Sequence, residues 1–220
     1  MLKSFILQVD FTGCMLRKVL VLKAGYCFVP LHNLFSYMIH IMKKALVIKK
    51  KICLIGSFAV GKTSLIEQFV YNRFDESYLT TIGVKISQKI LPPTEDHQSG
   101  RTIQHTFLIW DIAGLEKFDH MTLNYFRGAA GALAVADLTR QDTIEELHKY
   151  CDKFLTVNSS AKLVIIGNKI DIFHEDQQII SELKKVAAHF STDFLLTSAK
   201  SGEHVEHAFL MLSKKIGNSS

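Results

Sequence analysis

The stretch from Gly56 to Thr63 constrains the fold of this chain more than any other. It reads G-x-x-x-x-G-K-T, it follows the apolar run 52–55, and it precedes residues 64–70, whose apolar positions recur at helical spacing. A strand, a glycine-bounded loop and a helix in this order predict a loop that binds phosphate through backbone N–H groups and the helix dipole. A chance glycine-rich turn is the alternative, which the flanking strand and helix disfavour.

The loop supplies the first candidate ligand contacts. We expect Lys62 to reach the β- and γ-phosphates of a nucleotide and the hydroxyl of Thr63 to bind Mg²⁺. The candidate phosphate-binding residues are Gly56, Ser57, Phe58, Ala59, Val60, Gly61, Lys62, Thr63 and Ser64.

Beyond the loop, short apolar runs alternate with segments of helical periodicity, which predicts an α/β domain with a mostly parallel sheet. The region 92–100 contains two prolines and many polar residues, so we expect a turn-rich connection there. The predicted strands after the loop are 84–91, 102–110, 133–137, 163–167 and 194–196, and helical segments are expected up to about 125, over 144–155 and 183–190, and over 205–216. Ligands of such sheets bind at the carboxyl ends of the strands.

Charge divides the sequence into two parts. The formal charge of +5 belongs to residues 1–44, whereas residues 45–220 carry equal numbers of acidic and basic side chains. The neutral part therefore gives no case for a nucleic-acid-binding face. The cysteines show no metal-binding spacing, and Cys53 and Cys151 fall on apolar positions, so we expect reduced, buried thiols of a cytosolic protein.

Residues 1–44 form an N-terminal extension to the predicted domain at 45–220. Residues 24–42 contain no charged side chain and are long enough for a membrane span, but Pro30 and several polar residues interrupt them. Three interpretations stay open: translation that truly begins at Met42, a poorly ordered or partner-binding extension, and a membrane anchor or organelle presequence.

Three further motifs follow predicted strands. Asp111-x-x-Gly114 can hold Mg²⁺ through Asp111, by way of a water molecule, and face the γ-phosphate with the Gly114 N–H. In the second motif, Asn168-Lys169-x-Asp171, the Asp171 carboxylate can accept two hydrogen bonds from guanine, a donor pair that adenine lacks. Asn168 would brace neighbouring loops and the Lys169 stem would lie over the base. The third motif is Ser198-Ala199-Lys200, where the Ala199 N–H could reach guanine O6.

In this order the motifs resemble the Ras superfamily of small GTPases, and Thr81-Ile82-Gly83, 110–114 and 125–129 are similar to segments of its Rab branch. The resemblance implies a P-loop NTPase fold, with a six-stranded mixed sheet flanked by helices on both faces. It implies GTP and GDP as ligands, Mg²⁺ as cofactor, and protein effectors and regulators that read two switch loops. Thr81 would bind Mg²⁺ and the γ-phosphate in the GTP state, and Phe74 and Tyr78 would belong to the nucleotide site. Phe74 could instead be a hydrophobic staple of the preceding helix.

Three departures from the family pattern modify this expectation. Leu115 follows Gly114 where the family usually has a Gln that orients the attacking water, and the bulky Phe58 replaces a small residue beside the γ-phosphate. No cysteine follows Cys151, so we expect no C-terminal prenyl anchor and membrane contact only through residues 1–44 or a partner.

We therefore expect a cytoplasmic or peripherally membrane-associated GTPase with slow hydrolysis, in which Lys62, Thr81, Gly114 and Leu115 occupy the catalytic positions. A GTP-binding interaction module with negligible hydrolysis is the main alternative. An ATP-using P-loop enzyme is a weaker one, because Asp171 opposes it.

Overall fold

The computed structural model describes residues 7–8, 19–22, 25–27, 46–75, 81, 83–96, 101–112, 120–174 and 176–217. The chain divides into two compact units. The first contains residues 1–46 and 93–103, and the second contains residues 47–92 and 104–220.

The first unit contains a small sheet that the sequence pattern did not predict. Strands β1 (Leu7–Gln8), β2 (Val19–Leu22) and β3 (Gly25–Cys27) pair in this order, and both pairings are antiparallel. These strands are two to four residues long, too short to show the alternation by which a strand is recognised in a sequence.

Six strands of the principal sheet lie in the order β10-β9-β8-β4-β7-β5, and a short seventh strand pairs with β7. Pairing is parallel between β10 and β9, between β9 and β8, and between β8 and β4, whereas β5 and β7 are antiparallel. This confirms the predicted mixed, mostly parallel sheet. The strands are β4 (Leu46–Ile55), β5 (Val84–Ile90), β7 (Arg101–Ile112), β8 (Gly131–Asp137), β9 (Lys162–Asn168) and β10 (Phe194–Thr197).

The connection at 92–100, predicted to be rich in turns, also contains a strand that was not predicted. It contains strand β6 (Thr94–Asp96), which pairs antiparallel with the first residues of β7, so that Thr94 lies opposite Ile103. The strand is short and polar and follows Pro92 and Pro93, so its sequence resembles a turn.

Six helices accompany the sheet among the described residues. They are α1 (Lys62–Tyr71), α2 (His120–Phe126), α3 (Gln141–Glu145), α4 (Leu147–Val157), α5 (Gln177–His189) and α6 (Val205–Gly217). The single helix expected around 144–155 is thus two helices, separated at Glu146, although this residue keeps helical angles of φ −69° and ψ −17°. A 3₁₀ turn at Ile170–Ile172 follows β9.

Both faces of the principal sheet are covered by helices. Side chains alternate along β4, so that Cys53 packs with the cluster that includes α3, α4 and α5, and Leu54 packs with α1 and α6. On the second face Phe69 of α1 stacks on Phe209 of α6 with ring centroids 3.9 Å apart. A sheet buried on both faces is typical of strands as apolar as β4, β8 and β9.

Strand β5, predicted at 84–91, exposes apolar side chains and buries a polar one. Ile86 and Ile90 are each 55% exposed, whereas Ser87 is buried. β5 is the last strand in the sheet order, where the alternation identifies a strand but does not say which side is covered.

The two described thiols whose side chains the structure places are Cys53 and Cys151. Both are free and buried, and burial raises the pKa of each to about 12. Within the described residues, no helix combines the length and apolar character needed to cross a membrane.

Candidate functional site

The residues selected from the sequence gather at the carboxyl ends of neighbouring strands. The loop leaves β4 at Gly56, Asp111 lies near the end of β7, Asn168 ends β9, and Ser198 follows β10. Asp137, at the end of β8, completes the row. In an open α/β sheet this edge is where ligands bind.

The loop from Gly56 to Lys62 has a backbone that requires glycine at two positions. Gly56 and Gly61 have φ of 138° and 96°, and a Cβ added to Gly56 would lie 2.1 Å from the carbonyl oxygen of Val135. Ala59 also adopts a positive φ, 62°. Helix α1 begins at Lys62, directly after this curl, so its first N–H groups face the space that the loop encloses.

Lys62 is held on the inside of the loop. Its Nζ donates hydrogen bonds to the carbonyl oxygens of Gly56 (2.8 Å) and Ser57 (2.7 Å), and the residue is only 7% exposed. Burial lowers the pKa of Lys62 to about 8, while the charge of Asp111 acts in the opposite direction. A cation buried in this way is suited to a phosphate, because an anion removes most of the cost of keeping the charge out of water.

Three side chains that the sequence proposed as metal ligands meet beside Lys62. The Thr63 hydroxyl lies 2.7 Å from the Thr81 hydroxyl and donates to Oδ2 of Asp111, also at 2.7 Å. Burial raises the pKa of Asp111, opposed by the Thr63 hydrogen bond and by Lys62. Among the described residues, Oδ1 of Asp111 is a buried side-chain atom without a hydrogen-bond partner.

This oxygen cluster fits Mg²⁺. Octahedral coordination with bonds of about 2.1 Å places neighbouring ligand atoms about 3 Å apart. The Thr63 hydroxyl lies at a similar distance, 2.7 Å, from both the Thr81 hydroxyl and Oδ2 of Asp111. The described residues contain no group of three or more His, Cys, Asp or Glu side chains suited to a metal. Mg²⁺ is usually bound by one or two carboxylates together with substrate phosphates and several waters.

Asn168 joins three parts of the site. Its Nδ2 donates to the carbonyl oxygen of Val60 at 2.9 Å, and its Oδ1 accepts from the Ala199 N–H and the Thr197 hydroxyl, each at 3.2 Å. The missing Cβ of Gly61 leaves room for this amide, because a Cβ there would lie 2.3 Å from Nδ2. The Ala199 N–H, expected to reach guanine O6, is bonded to Asn168 in this structure.

Asp171 and Lys169 lie beyond Asn168, and each has an anchoring contact. The Ser198 hydroxyl donates to Oδ1 of Asp171 at 2.6 Å, which fixes an exposed carboxylate at the end of the sheet. Lys169 has a left-handed backbone, φ 71°, and its Nζ lies 2.6 Å from Oδ2 of Asp137. A fixed carboxylate beside an extended lysine stem can accept the paired donors of guanine and cover the face of the ring.

The remaining predicted residues are less informative. Ser64 lies in the first turn of α1, and Phe74 follows α1 with 37% of its surface exposed. Lys200 is exposed after β10. Tyr78, Gly114 and Leu115 lie outside the described residues, so their proposed roles stay predictions.

Three site residues were missed by sequence reasoning. Arg140 donates from Nη2 to the carbonyl oxygen of Phe58 at 2.7 Å, Glu146 accepts a hydrogen bond from the Ser57 hydroxyl, and Asp137 binds Lys169. Only Asp137 carried a signal, since it is a charged residue at the end of β8, a strand otherwise made of small and apolar residues.

The fold and the site define a nucleotide-binding protein of the P-loop class. The glycine-bounded loop lies between β4 and α1, and a buried lysine and an oxygen cluster lie beside it at the carboxyl edge of the sheet. A family model described as "Ras family" matches residues 51–218. The chain belongs to the Ras family, and its similarities place it in the Rab branch of the small GTPases.

Several curated relatives are similar to this chain. The human and rat proteins named "Ras-related protein Rab-4B" are each 37% identical to it over 169 residues, which cover 76% of this chain and 76% of each relative. The mouse "Ras-related protein Rab-4A" is 35% identical over 169 residues, or 76% of this chain and 74% of that protein. Membership of this family makes the chain a GTP-binding switch with GTPase activity in general terms. Ras-family GTPases bind effector and regulator proteins and generally use Mg²⁺ with the nucleotide.

Proposed function

We propose that this chain is a Mg²⁺-dependent GTPase switch with slow intrinsic hydrolysis. The observation that carries the proposal is the meeting of the Thr63 and Thr81 hydroxyls with Asp111, whose buried Oδ1 has no partner among the described residues, beside Lys62. All the described residues of the site lie between 56 and 200, within the part that matches the family. Nucleotide binding is therefore assigned to residues 45–220.

The phosphate side of the site works through charge and backbone donors. The loop N–H groups and Lys62 would hold the β- and γ-phosphates and stabilise the negative charge that develops when water attacks the γ-phosphorus. Thr63, Thr81 and Asp111 would hold Mg²⁺. When bound, this ion neutralises charge on the β- and γ-phosphate oxygens.

The base side of the site supplies specificity. Asp171, fixed by Ser198, would accept hydrogen bonds from guanine, and Asn168 would keep the loop at Val60 in register with the loop after β10. Lys169 would lie over the ring, and Phe74 would contact the nucleotide from the other side.

Hydrolysis is proposed to be slow because the residue that usually orients the attacking water is replaced. Leu115 has no hydrogen-bond donor or acceptor in its side chain. In Ras-type enzymes an arginine supplied by an activator raises the rate by about 10³–10⁵-fold. The side chain of Phe58 is 42% exposed, and we expect its ring to leave little room for such an arginine.

Two measurements on the purified chain test the proposal. Extraction and chromatography of the co-purified nucleotide should give guanine nucleotides, and single-turnover hydrolysis of GTP should be slow and should stop when Mg²⁺ is chelated. A rate equal to that of ordinary Rab proteins would contradict slow hydrolysis, and His120 and Glu116 would then be the first residues to test as water-orienting groups.

Leu115→Gln should raise the single-turnover rate, since the amide can both donate to and accept from water. Leu115→Ala is the matched control, because it removes the leucine without adding an amide. If Phe58 also obstructs the site, Leu115→Gln alone will change little and Phe58→Gly with Leu115→Gln will be required. No increase in either variant would show that position 115 does not limit the rate.

A GTP-binding interaction module with negligible hydrolysis is the second candidate, and Leu115 and Phe58 favour it. The nucleotide recovered from the protein separates the two candidates. Mostly GDP indicates turnover, whereas mostly GTP indicates a protein that stays in one state.

A further inference from the structure

We propose that Arg140 is a positioning residue for the phosphate loop, held by the same buried carboxylate, Asp137, that anchors Lys169. The proposal rests on the proposed binding of guanine nucleotides at this site. It adds a connection between the phosphate side and the base side of the site, made by Arg140 and Asp137, which belong to none of the sequence motifs.

Arg140 spans the distance from β8 to the loop. Its Nη2 donates to the carbonyl oxygen of Phe58 at 2.7 Å, and its Nε lies 3.5 Å from Oδ2 of Asp137. The two ends of one guanidinium therefore contact the end of a central strand and a loop residue 82 positions earlier in the chain. A planar, always charged fork is suited to such a double contact.

Asp137 is built to remain charged although it is only 1% exposed. Its Oδ1 accepts from the Thr139 N–H (3.0 Å) and hydroxyl (2.7 Å), while Oδ2 faces Lys169 and Arg140. Burial by itself raises the pKa of Asp137, but the hydrogen bonds from Lys169 and Thr139 hold it below its ordinary value. One carboxylate thus serves the guanine motif and the phosphate loop together.

The contact with Phe58 controls the direction of a phosphate-binding donor. In a planar trans peptide the C=O of one residue and the N–H of the next point in opposite directions. Fixing the Phe58 carbonyl toward Arg140 therefore directs the Ala59 N–H away from Arg140 and toward the inside of the loop. Ala59 has φ of 62°, so this peptide is held in an uncommon conformation that benefits from an external contact.

A second contact from the same segment supports this role. The Ser57 hydroxyl donates to Glu146, which lies between α3 and α4, six residues after Arg140. Ser57 and Phe58 do not pair with a strand. Contacts from residues 140–146 therefore hold these two consecutive loop residues from outside the loop. Arg140 acts through the loop and is not expected to touch the nucleotide.

Comparison of GDP with GMP tests the proposal, because only GDP carries the β-phosphate that the loop amides bind. Affinities of both nucleotides would be measured by calorimetry on the full chain after removal of bound nucleotide. Arg140→Ala should weaken GDP by about tenfold or more, the usual effect of losing a charged hydrogen bond, and change GMP by less than about twofold. Arg140→Lys, which keeps a charged donor, should recover part of the GDP affinity.

Two further variants complete the experiment. Asp137→Asn should weaken both nucleotides, because Lys169 loses its anchor as well as Arg140. Arg127→Ala, at the opposite end of β8, should leave both affinities unchanged and controls for loss of an exposed arginine.

An equal loss of GDP and GMP affinity in Arg140→Ala would overturn the positioning role and indicate a general structural one. No loss of either would overturn it as well. Wild-type protein that fails to bind GDP would instead overturn the proposed function. That result is distinct from a variant that binds both nucleotides with the same ratio of GDP to GMP affinity as the wild type. Thermal unfolding of each variant identifies any that fail to fold, and Arg140→Lys then decides the outcome.

Discussion

The two halves of the nucleotide site are built differently. In the proposed site the phosphate half comes from consecutive residues, 56–63, and would contact phosphate mainly through backbone N–H groups and Lys62. The guanine half combines side chains from two strand ends: Asn168 is the last residue of β9, Asp171 lies three residues later, and Ser198 follows β10. The first half depends on backbone conformation, whereas the second depends on the identity of each side chain.

This difference predicts how each half responds to substitution. In the phosphate half, non-glycine side chains are replaceable where they point outward, as the exposed Phe58 illustrates, but Gly56 and Gly61 are not. In the guanine half, replacing a hydrogen-bond acceptor by a donor in one side chain can alter which base is bound.

The largest effect is expected for Asp171→Asn, which tests the side-chain half. A site built for a donor pair discriminates by about 10⁴ against a base without it, and the amide should shift preference toward xanthine nucleotides. Competition binding with GTP, XTP and ATP measures the shift, and Asp152→Asn, on the exposed side of α4, is the control. Wild-type affinity for ATP within about tenfold of GTP, a margin of ~1.4 kcal/mol, would show that Asp171 does not select guanine.

Gly61→Ala tests the point where the halves meet and should reduce GDP affinity by about 10²–10³-fold. The new Cβ would lie 2.3 Å from Nδ2 of Asn168, so the bond from this amide to Val60 must break and a buried donor loses its partner. GMP affinity should fall too, since Asn168 serves the guanine half.

Gly128→Ala is the matched control for this substitution. Its φ is 73°, comparably unfavourable for alanine, but nothing lies within 4 Å of the added Cβ. If both variants lose nucleotide affinity equally, backbone strain rather than the contact with Asn168 is responsible.

A smaller effect, about tenfold between pH 7 and pH 9, is expected for GDP affinity and tests the phosphate half alone. The pKa of Lys62 is lowered to about 8, so the free protein carries the charged amine below pH 8 and loses it above. Phosphate binding favours the charged form, so affinity must fall as pH rises through 8. GMP shares the guanine ring but lacks the β-phosphate, and its affinity should change less. An identical pH profile for both nucleotides would exclude Lys62 as the cause.

The smallest effect is expected for Ser198→Ala, about fivefold in GTP affinity, because Asp171 loses one hydrogen bond worth about 1 kcal/mol. Selection of GTP over ATP should persist, since the carboxylate is retained. Ser201→Ala, three residues further along, serves as the control. Complete loss of guanine selection in Ser198→Ala would mean that the orientation of Asp171, more than its charge, defines the base.

The same comparison explains what could be predicted from sequence. Gly56 to Thr63 form one local segment, so the spacing of the glycines and Lys62 is sufficient to predict the phosphate half. The strands β8 and β9 were predictable because they are continuous apolar runs. Asn168 and Asp171 could be selected as candidates because they lie at and just beyond the end of β9.

Contacts made across the fold could not be predicted in this way. Arg140 meets Phe58, and Glu146 meets Ser57, through chain separations of 82 and 89 residues, and no local pattern marks Arg140 or Glu146. Strand β6 was missed because three polar residues after two prolines have the composition of a turn. The exposure of Ile86 and Ile90 could not be predicted, because alternation does not identify which face of a sheet is covered.

The burial of Cys53 and Cys151 has a consequence for chemical labelling. A thiol with a pKa of about 12 is almost entirely protonated near pH 7, and the thiolate is the form that alkylating reagents attack. The thiols of Cys53 and Cys151 are therefore expected to be unreactive toward such reagents while the domain is folded. The other two cysteines, Cys14 and Cys27, belong to residues 1–44. Alkylation located at Cys53 or Cys151 therefore reports unfolding of the nucleotide-binding domain.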